Sequence, residues 1–253
     1  MTTYTVALSK GGSTKTTTAA ELVTALASRG RRVLAIDLDQ QGNLSTRLGL
    51  TAHTDVGGVA ADVLLGTVEA IDAATPSPAV DGVDVLAGTH DLANMDQQPE
   101  VITALRDYLP TLHEWDDVVI DTPPALGLVT LAGLAAADVV IAAVACETEA
   151  YDQLARLAEV IRARIARRLK RGQRIHWVVP TRHDPRRLLD RDVVAQLNAD
   201  WPGQVTNPIR EAVAARDAFT AGLPVSVYAP NAPITADYRA ATATIIDTHQ
   251  EHQ

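Results

Sequence analysis

A chain of 253 residues can bury one large core or two small ones, and with 47% apolar but only 4% aromatic residues that core must be mainly Ala, Val, Leu and Ile. No apolar run reaches the roughly 18 residues of a membrane span, no basic and then apolar leader opens the chain, and a single cysteine, Cys146, excludes an intrachain disulfide or a Cys-rich metal site. The net charge of −9 argues against a nucleic-acid partner until its distribution is read: residues 151–191 carry twelve Arg or Lys against four Asp or Glu, a local +8 that leaves −17 for the rest.

In chain order, short apolar runs alternate with helical stretches. Strands are predicted over residues 5–8, 33–37, 83–87, 118–121, 139–144 and 175–179. Their nearly unbroken Val, Ile, Leu and Ala content fits strands buried on both faces. Helices are predicted over 15–28, 99–109 and 148–170, and residues 75–78 read as a Pro-containing loop. Strand-helix alternation predicts an α/β fold: a doubly wound, mainly parallel sheet flanked by helices, in one domain spanning residues 1–253.

The sharpest signal is SKGGSTKTTT, residues 9–18, between the first strand and the first helix. A phosphate loop requires that position, because N–H groups at a helix N-terminus bind phosphate oxygens. Gly11 and Gly12 let the backbone approach the ligand, Lys15 offers a point charge to the β- and γ-phosphates, and Thr16 offers a hydroxyl to Mg²⁺. At the end of the second strand, DLDQQGN places Asp37 and Asp39 on one side of the chain. The run DVVID ends in Asp121, a Walker B pattern in which the carboxylate binds Mg²⁺ directly or through water.

Together these motifs resemble the ParA family of DNA-partition ATPases. KGGSTKTT is similar to the family's deviant Walker A motif KGGxGKT[TS], DLDQQGN to its DxDPQGN, and DTPPALGL to its DTPP…LGL segment. The segment 209–225 resembles its EAxxxGxPV stretch, so the similarity spans about residues 5–238, without an N-terminal helix-turn-helix extension. The resemblance implies ATP and Mg²⁺ as cofactors. It implies a nucleotide-binding set of Lys10, Gly11, Gly12, Ser13, Thr14, Lys15, Thr16 and Thr17, with Lys10 reaching the other subunit's ATP in a dimer and Thr17 touching the α-phosphate. Lys10, Lys15 and Asp39 are then the catalytic residues, Asp39 acting on the attacking water. Thr16, Asp37 and Asp121 form the metal set. Two departures stand out: Thr14 replaces the glycine before the lysine, and Gln40 replaces a proline. A left-handed backbone at Thr14 costs about 1–2 kcal/mol.

The resemblance further implies an ATP-driven homodimer, nonspecific double-stranded DNA, a ParB-like partner that stimulates hydrolysis, and a cytoplasmic, nucleoid-associated protein. Two arginine sets are candidates for DNA phosphate contact. One is presented by the third predicted helix and its end, Arg162, Arg167, Arg168 and Arg171; the other follows the last predicted strand, Arg182, Arg186 and Arg187. A MinD-like membrane regulator is the alternative, disfavoured by a tail, TATIIDTHQEHQ, with no Lys or Arg. An ATP-gated scaffold with little hydrolysis is a further one, kept open by Thr14.

Overall fold

The computed structural model describes residues 1–8 and 14–250. Seven strands form one sheet in the order β3-β4-β2-β5-β1-β6-β7. They are β1 Thr2–Val6, β2 Val33–Asp37, β3 Thr75–Pro76, β4 Val83–Leu86, β5 Asp117–Asp121, β6 Val139–Ala145 and β7 Trp177–Thr181. Every neighbouring pair is parallel except β3 with β4. The doubly wound architecture expected from the strand-helix alternation is what the chain adopts.

Two helical layers cover the sheet, and strand periodicity assigns side chains to them. In β2, Val33 and Ala35 join one core while Leu34 and Ile36 join the other. The first core packs against helices α1 (Lys15–Ala27) and α2 (Asn43–Arg47). The opposite face carries α3 (Ala60–Leu64), α4 (Ala70–Ala73), α5 (Val101–Tyr108), α6 (Leu128–Ala136), α7 (Ala150–Val160) and α8 (Leu188–Asp200). The chain then returns to the first face through α9 (Ala214–Thr220), α10 (Val225–Tyr228) and α11 (Pro233–Gln250). With aromatics scarce, small aliphatic residues fill both layers, and Cys146 is one of them.

The last predicted strand, 175–179, sits two residues later at Trp177–Thr181, and three further elements differ from the sequence reading. The first strand occupies Thr2–Val6 rather than 5–8, because its register with β5 starts at Thr2 opposite Asp117. Thr75–Pro76 is not a loop but an antiparallel edge strand, a position where a proline's missing N–H is harmless. The predicted helix 148–170 ends its α-geometry at Val160 and continues as a π-helical segment, Ile161–Ala166. The cause lies in the apolar spacing. Leu157, Ile161 and Ile165 recur every four residues, which overshoots an α-turn, and the wider turn keeps all three buried.

The topology fixes where a ligand can bind. From β1 the chain moves to β2, on one side; from β5 it moves to β6, on the other. The carboxyl ends of β1 and β5 therefore flank the point where the winding reverses, the place where open α/β sheets hold ligands.

Candidate nucleotide site

Adjacent strand ends gather the acidic residues. Asp37 closes β2 and Asp121 closes β5, and they are register partners; Val6, at the end of β1, pairs with Asp121 from the other side. α1 starts at Lys15, so its unpaired N-terminal N–H groups open onto this crevice. A cavity of ≈ 730 Å³ lies there, lined by Thr14, Lys15, Thr16, Thr17 and Asp39 among others. That volume suits a drug-sized or nucleotide-sized ligand. Lys10, Gly11, Gly12 and Ser13 lie outside the described residues.

Lys15 is buried, and burial lowers its pKa while Asp121 and Asp39 push it back up. Asp121 is wholly buried, and its carboxyl is pushed up to about 8, first by burial and then by the nearby Asp37 charge. The Thr16 hydroxyl and Lys15 oppose only part of that rise. The Thr16 hydroxyl lies near enough to act on Asp121, yet no hydrogen bond of normal geometry satisfies either carboxylate oxygen among the described residues. A buried carboxylate left this way is costly unless a cation or proton satisfies it. The donor set therefore fits Mg²⁺: Asp121 and Thr16 would hold the ion, and it would neutralise phosphate charge. Among the described residues no group of three or more His, Cys, Asp or Glu could hold a metal by itself. Ligand oxygens would have to complete the shell.

Asp37 also braces the turn that follows it. Its Oδ2 accepts from the Ser45 N–H at 2.9 Å and the Ser45 hydroxyl at 2.8 Å, and its Oδ1 accepts from the Asp39 N–H at 3.1 Å. Burial pushes its carboxyl up to about 6, opposed by these hydrogen bonds. It holds the Asp39 turn in place. Asp39 itself accepts from the Gln41 N–H at 3.0 Å and faces the cavity. Gly88 completes the support: its N–H donates to the Ser45 hydroxyl at 3.1 Å, with its Cα pressed on the Asp37–Asp39 backbone.

Thr14 has φ 64 and ψ 11, the left-handed conformation that a glycine would adopt without strain. Its hydroxyl donates to Thr181 Oγ1 at 2.7 Å, and the Thr181 hydroxyl donates to the Val144 carbonyl at 3.0 Å. The loop is thereby tied to the ends of β6 and β7. Arg182, the next residue, is also left-handed, with φ 56.

The two arginine sets are separated by the fold. Arg182 lines the cavity and pairs with Glu147 at 3.0 Å and Glu211 at 3.4 Å. Arg186 pairs with Asp184 at 2.9 Å and Arg187 lies 3.7 Å from Glu211. In the other set Arg162 pairs with Glu159 at 2.7 Å. Arg167, Arg168 and Arg171 are exposed. They flank Lys170, which binds Asp138 just before β6 starts, so they sit at the end of the sheet opposite the cavity. Sequence reasoning missed Ser45, Gly88, Thr181 and Arg47. All four act through tertiary contacts that no local motif announces.

The model for the AAA domain family matches residues 1–173. The chain is 36% identical over 234 residues to the chromosome partitioning protein ParA of Caulobacter vibrioides, covering 88% of this chain and 85% of that protein. It is 35% identical over 247 residues to the chromosome-partitioning ATPase Soj of Thermus thermophilus, covering 96% and 94%. The solved structure of cobyrinic acid a,c-diamide synthase from Mycobacterium smegmatis with bound ADP and magnesium matches with a TM-score of 0.82 at 30% identity, over 100% of this chain and 97% of that one. The glycine-rich loop, the buried lysine and the paired strand-end aspartates thus belong to an ATPase, and the chain is a member of the ParA/Soj family of P-loop chromosome-partitioning ATPases.

Proposed function

We propose that this ATPase is a DNA-partition motor in which Mg·ATP drives dimerisation, the dimer binds DNA without sequence preference, and a ParB-like partner stimulates hydrolysis. The observation that carries the reading is the buried Lys15 facing Asp39 and the unsatisfied Asp121 at the mouth of α1. A site of this kind stabilises charge on a transferring phosphoryl group and needs little else. Lys15 binds the β- and γ-phosphates, Thr17 the α-phosphate, and Asp39 orients the attacking water. Lys10 reaches across the dimer, with Gly11, Gly12 and Ser13 giving the loop its backbone donors. The relative with bound ADP and magnesium supports a Mg-nucleotide ligand, and the relatives named for chromosome partitioning support the role. The protein works on the nucleoid in the cytoplasm.

DNA phosphate contact is assigned to the exposed arginines. Arg182 lines the cavity and shares Glu211 with Arg187, and Arg186 pairs with Asp184, which Arg187 also approaches, so nucleotide occupancy can reach this set through Glu211. Arg167, Arg168 and Arg171 add charge at the far end. Steady-state ATP turnover, measured alone, with DNA, and with DNA plus the partner, tests the reading. A motor accelerates stepwise across the three conditions. A flat, near-zero rate in all three, with ATP still bound, would make the protein an ATP-gated scaffold instead.

A further inference from the structure

Arg47, the last residue of α2, is only 8% exposed, and its Nε and Nη1 have no hydrogen-bond partner among the described residues. Its guanidinium lies over the Phe219 ring, 4.7 Å from the centroid, and lines the nucleotide cavity. No carboxylate forms an ion pair with it among the described residues. The nearest acidic influence comes from Tyr238, Glu21 and Asp121, and burial dominates over all three. Glu21 is already committed, accepting from the Ser226 N–H at 3.2 Å.

A buried guanidinium without a partner costs several kcal/mol, far more than its stacking on one ring returns. Such a group persists where a ligand compensates it. The cavity's ligand carries its negative charge in its phosphates, and Arg47 lines the same cavity as Lys15, Thr16 and Thr17. A neutral base would satisfy hydrogen bonds but leave the charge uncompensated. Arginine's planar fork is also the side chain best shaped for phosphate oxygens.

We propose that Arg47 is a nucleotide-binding residue that pairs with the phosphate chain, held in readiness by the Phe219 ring. The inference rests on the nucleotide reading of this cavity. In the empty protein Arg47 is a liability; in the occupied protein it is a counter-charge. Phe219 keeps the guanidinium flat and aimed, which lowers the entropy lost on binding.

The test compares wild type with Arg47→Met and Arg47→Lys, using titration calorimetry with Mg·ATP, ADP and adenosine, and thermal melts without ligand. Arg47→Met should bind ATP and ADP on the order of tenfold or more weakly, the range for losing a charged hydrogen bond. Adenosine affinity should barely change. Arg47→Lys should recover part of the loss. The ligand-free Tm of Arg47→Met should be unchanged or higher, because an apolar residue of similar length removes an uncompensated charge. A lowered Tm with intact affinity would make Arg47 a structural residue bridged by water, and overturn the proposal. An equal loss for adenosine would overturn it in favour of a base contact. Wild type failing to bind Mg·ATP, no better than Lys15→Ala, would remove the nucleotide reading itself, an outcome distinct from either.

Discussion

The Thr14 hydroxyl donates to Thr181 Oγ1 at 2.7 Å, joining the residue before the phosphate-loop lysine to the end of β7. Thr14 has the left-handed backbone where the family motif carries glycine, so it bears about 1–2 kcal/mol of strain. The hydrogen bond returns roughly 1 kcal/mol of that. Thr14→Gly therefore loses the bond but also the strain, and should stay within about 1 kcal/mol of wild type in urea denaturation. Thr181→Val keeps the strain and loses the bond. It should cost about 1–3 kcal/mol and weaken Mg·ATP binding. Equal losses from the two variants would show that Thr14 is unstrained.

Gly88 holds the Asp37–Asp39 turn by contact. A methyl group there would lie 2.8 Å from Asp37 Cγ and 2.9 Å from the Asp37 carbonyl, and closer still to the Asp39 carbonyl. The clash is with backbone and with a fully buried carboxylate, so neither can move freely. Gly88→Ala should cost about 1–3 kcal/mol of stability and reduce turnover more than ATP affinity. Wild-type kcat in this variant would show that the turn is not what positions Asp39.

His176 links β6 to the start of β7, its Nδ1 accepting from the Val140 N–H at 3.0 Å. Burial, with Arg174 next, lowers its pKa to about 4. The unfolded chain binds the proton near pH 6.5, so between 6.5 and 4 the unfolded state holds more protons than the folded one. Stability contributed by neutral His176 is full above pH 6.5 and declines as pH falls toward 4. Urea midpoints at pH 7 and pH 5 should differ in wild type, and the difference should shrink in His176→Gln. An unchanged difference would assign the acid sensitivity to other groups.

The two arginine sets should respond differently to nucleotide. Arg182 lines the cavity, with Arg187 linked to it through Glu211 and Arg186 paired with Asp184, whereas Arg167, Arg168 and Arg171 lie at the opposite end of the sheet. Replacing the far set with Ala should weaken DNA binding alike with and without ATP, and flatten the salt dependence by about 0.9 in log-log slope per phosphate lost. Replacing Arg186 and Arg187 should erase the ATP dependence. DNA affinity insensitive to salt and to both sets, in fluorescence anisotropy, would leave the arginines as a solvated surface.

Most of the sheet was legible because its strands are buried on both faces and read as apolar runs, and β2 begins and ends where the pattern predicts. The edge strand Thr75–Pro76 was not legible, since its order comes from pairing with β4 and not from its own residues. The π-helical segment was present in the four-residue spacing of Leu157, Ile161 and Ile165, but masked by a run of arginines that favours any helix. In the site, Lys15, Asp39 and Asp121 announced themselves through motifs tied to strand ends. Arg47 could not, because one arginine in a five-residue helix has no local signature; only the packing of α9 over it shows that it is buried.

Phosphate release from saturating Mg·ATP, followed side by side with ATP binding for wild type, Lys15→Ala and Asp39→Ala, bears most directly on the nucleotide site. Lys15→Ala removes a buried counter-charge and should abolish binding and turnover together. Asp39→Ala should bind ATP with near wild-type affinity and release phosphate at least about 100-fold more slowly, because only the orientation of water is lost. Wild-type turnover in Asp39→Ala, or undiminished ATP affinity in Lys15→Ala, would contradict the account.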